Sequence, residues 1–76
     1  MNRVRRQQIE AVKAQLDELS DRIDAILSDE QDYYDNIPEN LQTSDRATMS
    51  EDAISSLESA IDSISDAISS LEEAAA

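Results

Sequence analysis

The chain has no cysteine, histidine, glycine, tryptophan or phenylalanine, and only one proline, in 76 residues. Each absence removes something. Without cysteine or histidine there are no disulfides, no thiolate or imidazole catalysts and no zinc site of the usual kind. Without glycine there is no phosphate-cradling loop, so Walker-type and dinucleotide motifs are excluded. No long apolar run is present either. The opening MNRVRRQQIE is basic but is followed by no hydrophobic stretch, so neither a secretory signal nor a membrane anchor is expected. Catalysis would fall to Asp, Glu, Ser, Lys13 or Tyr, and no spacing singles out a pair, so no enzyme, catalytic residue, metal or cofactor is assigned.

What the chain has is carboxylate. Eighteen acidic residues against six basic ones give a formal charge of −12. The distribution is uneven: residues 1–13 carry +3 and the remaining 63 residues carry −15. A charge of this sign disfavours direct binding to nucleic acid or to an anionic membrane.

Two heptad runs dominate the pattern. Ile9, Val12, Leu16, Leu19, Ile23 and Ile26 alternate steps of three and four, which places them on one helical stripe. Ile54, Leu57, Ile61, Ile64, Ile68 and Leu71 repeat it within the internal repeats AISSLES, AIDSISD and AISSLEE. Folded back antiparallel, layers pair residues whose numbers sum to about 80, from Ile9 with Leu71 to Ile26 with Ile54. Toward the turn, Tyr33 then meets Ala47, and Glu30 meets Ser50 as a polar break in an apolar seam.

The predicted fold is therefore all-α, an antiparallel two-helix coiled-coil hairpin over residues 1–76. Helix 1 spans about 3–34, the turn 35–43 and helix 2 about 44–74. Pro38 interrupts the helix, and Ser44 or Thr48 caps the second one, with Thr48-x-x-Glu51 as a candidate capping box. A chain this short buries little surface, and two helices cover only one side of each stripe. Assembly into a four-helix bundle or a larger homo-oligomer is expected, with Ala53, Ala60, Ala67 and Ala74 as a smooth interface track.

Two clusters are candidate binding sites. Arg3, Arg5 and Arg6 stand at the positive end of the first helix, where free amides and guanidinium groups suit an anion; pairing with Glu72 and Glu73 is the competing role. At the turn, Tyr33, Tyr34, Asn36 and Asn40 offer aromatic faces and amides to a planar ligand or a partner peptide. Plugging the bundle end, with Tyr33, Ile37 and Leu41 inward, is the competing role there.

The segment Tyr34-Asp35-Asn36-Ile37-Pro38-Glu39-Asn40-Leu41-Gln42, with Ser44 and the helix Glu51-Asp52-Ala53-Ile54-Ser55-Ser56-Leu57-Glu58, resembles a recurrent kind of short acidic helical protein of bacteria and prophages. The resemblance covers roughly residues 5 to 73 and implies a mobile-element context in the cytoplasm of a bacterial host, with no activity attached. In that setting the expected function is a homo-oligomeric, phage-encoded counter-defence protein that binds and sequesters a small anionic nucleotide signal. The alternatives are an acidic mimic of nucleic acid that blocks a basic host protein, and a plain assembly module.

Overall fold

A computed structural model describes all of residues 1–76. It is a helical hairpin: α1 (Arg3–Asp35) and α2 (Asp45–Ala75), joined through a single 3-10 turn at Glu39–Leu41. The molecule is a rod of 59 × 15 × 12 Å. Its radius of gyration of 17.3 Å exceeds the roughly 11 Å of a compact domain this long. No helix is long and apolar enough to cross a membrane.

The helix ends follow from local chemistry. The Asn2 side-chain oxygen accepts from the Arg5 amide at 2.8 Å and starts α1. At the other end the Asn36 side-chain amide donates to the Asp32 carbonyl at 2.8 Å, alongside the backbone amide of the same residue at 3.1 Å. Pro38 lacks the N–H a further turn would use, and its extended backbone redirects the chain. The Gln42 amide donates back to the Ile37 carbonyl at 2.8 Å, so the loop closes with no residue at positive φ and no need of glycine. Ser44, extended, caps α2 by accepting from the Ala47 amide at 3.3 Å. Thr48 is not the cap: it lies inside the helix and its hydroxyl donates to the Ser44 carbonyl. Glu51 is drawn instead to Tyr34.

The interhelical seam departs from the expected one on α1 and matches it on α2. In α2, Ile54, Leu57, Ile61, Ile64, Ile68 and Leu71 are all half-buried. In α1 the half-buried residues are Ile9, Lys13, Leu16, Ser20, Ile23, Leu27, Glu30 and Tyr34. Val12, Leu19, Ile26 and Tyr33, expected to pair with α2, are instead 44 to 55% exposed. Helix α1 is thus rotated so that the column one residue further on faces α2. Two interactions hold that rotation. The Tyr34 hydroxyl donates to Glu51 at 2.6 Å, and the Lys13 ammonium lies 3.5 Å from Glu72, its apolar stem lying in the seam. Leu27, one heptad before Tyr34, is half-buried in the seam where Ile26 is exposed.

Only three residues are buried, Ile37, Ala47 and Ser50, and all belong to the turn end. Of the two tyrosines Tyr34 is half-buried and Tyr33 is exposed, so the expected layer of Tyr33 with Ala47 is displaced. Ser50 occupies the polar layer with Glu30, and its enclosed hydroxyl has no hydrogen-bond partner.

Candidate functional site

The rotation of α1 gives the rod two unlike flanks. A residue three positions on lies about 60° to one side of its predecessor and a residue four on about 40° to the other. The Val12, Leu19, Ile26, Tyr33 column therefore projects beside the seam, on the same side as Ala53, Ala60, Ala67 and Ala74 of α2. An open hollow of about 600 Å³ lined by Glu30, Tyr33, Arg46, Met49, Ser50 and Ala53 marks the turn end of this flank. The opposite flank has a hollow lined by Asp24, Leu27, Ser28, Gln31, Asp32 and Glu58. Its lining is almost wholly polar.

The division of charge is sharper than the division of apolar groups. Along the first flank the helical positions outside the ridge and the track are Gln8, Gln15, Arg22, Asp29, Arg46, Met49, Ser56, Ser63 and Ser70. Of the eighteen carboxylates, Asp29 stands at the edge of this flank, Glu30 lies in the seam beneath it, and the other sixteen belong to the rest of the rod. Of the two alanine pairs in the track, Ala53 and Ala60 are half-buried while Ala67 and Ala74 are exposed.

Arg3, Arg5 and Arg6 are exposed at the open end and make no ion pair. Their anticipated partner Glu72 pairs with Lys13, which also lies 3.5 Å from Glu10, and Glu73 pairs with none of them. Arg5 borders a shallow hollow with Met1, Gln8, Ile9, Val12 and Leu71.

Tyr33, Tyr34, Asn36 and Asn40 lie at the other end of the rod. Since α1 has 33 residues, about 50 Å of helix separates them from the arginines, and within one chain the two clusters are not one site. The turn itself is divided. Tyr34 is held by Glu51, and Asn36 caps the helix, while Tyr33, Asn40 and Leu41 are exposed. Of the three side chains proposed to plug the end, Ile37 alone turns inward. The hydrogen bond to the Glu51 carboxylate, helped by burial and by the charges of Glu51 and Asp35, holds the Tyr34 phenol above its ordinary value of 10.0. No three of the carboxylates are placed to hold a metal ion.

The alanine track of this flank was visible in the sequence, but the α1 ridge beside it was not. Lys13 and Tyr34 are polar and gave no seam signal, and Arg22, Arg46 and Met49 are single residues in no motif. The signal was a recurrent absence of acid at every seventh position, which becomes readable once the seam is known. No family model, curated protein or solved structure matches the chain.

Proposed function

We propose that this chain is a non-catalytic binding protein whose working surface is the acidic part of the rod and whose partner carries a basic groove, in electrostatic terms a mimic of nucleic acid. The observation that carries the reading is segregation: sixteen of eighteen carboxylates lie off one flank and cover the rest of a rod 59 Å long. Fixed helices hold these charges in place, which favours steering and register over raw affinity. Magnitude matters here. Duplex DNA of that length carries about 35 charges at one per ~1.7 Å, against −12 for one chain and −24 for two. A single copy is a weak mimic, and a pair reaches roughly two-thirds of duplex density.

The test is capture from bacterial lysate on the immobilised chain at low salt, followed by a salt step. A nucleic-acid-binding protein should elute with salt and should not be retained by the Asp17→Asn, Asp21→Asn, Asp24→Asn variant. Recovery of no basic protein, or retention unaffected by the neutralised carboxylates, sinks the reading.

A second reading rests on the three arginines that no carboxylate of the chain neutralises. Exposed guanidinium groups at a helix start suit a phosphate, and the candidate ligand is a small nucleotide signal that a phage-borne protein would sequester. Calorimetry with a panel of cyclic nucleotides should give heat that Arg5→Ala with Arg6→Ala abolishes. Silence with every nucleotide discards it.

A further inference from the structure

The ridge of α1 and the alanine track of α2 are two halves of one surface, and the geometry points to a second copy of this chain as its occupant, docked flank to flank so that each ridge lies along the other's track. Three observations carry this. First, the chain exposes 5569 Å², about 1,000 Å² more than the roughly 4,600 Å² of a monomeric protein of 8.4 kDa. That surplus is close to the ~800 Å² each partner contributes to a standard interface.

Second, the surface is self-complementary. Val12, Leu19, Ile26 and Tyr33 protrude every seventh residue, and Ala53, Ala60 and Ala67 recede at the same interval on the neighbouring helix. A two-fold axis along the rod sets Val12, Leu19 and Ile26 over Ala67, Ala60 and Ala53 of the other copy and brings Tyr33 toward Arg46, with each helix antiparallel to the one it meets. Both turns then lie at the same end.

Third, charge selects the face. Two rods of −12 each repel wherever acids meet acids, and this flank alone is nearly free of them. It offers Arg46 and the Arg22–Glu18 pair at its borders instead, while the opposite flank would bring Asp17, Asp24 and Glu58 against their copies. A partner of another kind is not needed to explain a surface that fits itself in both shape and charge.

The experiment begins with light scattering on the full chain, which should read twice 8.4 kDa. Leu19→Glu with Ile26→Glu should halve the mass, whereas Asp17→Lys with Asp24→Lys should leave it unchanged. Because the first variant can also unfold, spin labels provide an independent measurement, made simple by the absence of native cysteine. Labels at Arg22→Cys should lie closer to their copies than labels at Asp24→Cys, and labels at Asn40→Cys should lie turn against turn. A monomer, an assembly of more than two chains, the reverse order at positions 22 and 24, or turns separated by the length of the rod each overturn the proposal.

Discussion

The two helices use the same heptad grammar to different effect. In α2 the apolar stripe and the buried stripe coincide, and every large side chain from Ile54 to Leu71 turns toward α1. In α1 they diverge: Ile9, Leu16 and Ile23 serve the hairpin, while Val12, Leu19 and Ile26 stand beside it. A helix whose apolar residues meet one partner needs one stripe, and α2 is of that kind. Helix α1 has apolar groups left over after its partner is satisfied, and a seam completed by Lys13, Ser20 and Tyr34.

The sharpest way to break that comparison is at the point both helices share. Ala47 is fully enclosed at the turn end, so Ala47→Leu forces extra volume into a closed site and should cost about 1 to 3 kcal/mol. Circular dichroism should then show a melting temperature lower by roughly 10 °C. An unchanged melt would mean that the helices part there at little cost.

The columns of α1 are separated by a dilution series. Leu27→Ala removes half-buried seam contacts and should cost about 1 to 2 kcal/mol at every protein concentration. Leu19→Ala should fall within about 0.5 kcal/mol of the parent in dilute solution and grow harmful as the concentration rises. Equal losses from both in dilute solution would erase the distinction between seam and ridge.

A smaller effect of opposite sign is expected at Ser50. Its enclosed hydroxyl has no partner, so Ser50→Ala removes an uncompensated polar group and should raise stability by about 1 kcal/mol in denaturant titration. A loss instead would show that the hydroxyl is satisfied in solution.

The smallest effect is read at the clasp. In a Tyr33→Phe background the remaining phenol, Tyr34, should ionise above 10.0 when followed by ultraviolet absorbance, and Glu51→Gln should bring it down. The bonded form is the neutral phenol, and its folded value is raised. Its contribution to stability is therefore complete below the unfolded value and lost as pH climbs through the folded one. Titration unmoved by Glu51→Gln would remove the clasp from the account.

Much of this architecture was legible residue by residue. Two heptad runs around the only proline imply the hairpin, the stripe of α2 is visible as written, and Ser44 was one of two caps the pattern allowed. The rotation of α1 was not legible, because apolar periodicity identifies which residues avoid water, not which partner removes them from it. Tyr33 and Tyr34 are adjacent and identical in type, and the bond that marks Tyr34 as the one facing α2 is to the carboxylate of Glu51, seventeen residues away. For the candidate site, the arginines and the alanine track could be named in advance. Their separation from the tyrosines by the length of a helix follows from topology alone.

The enclosed cluster of Ile37, Ala47 and Ser50 also orders events in time. Closing the short loop between Tyr34 and Ala47 takes on the order of 100 ns, and each later layer adds contacts without a new loop to close. Folding then zips outward from the turn, with the open end last to form and first to fray. On a chevron, Ala47→Gly should depress the refolding limb, while Leu16→Ala should chiefly steepen the escape from the folded state.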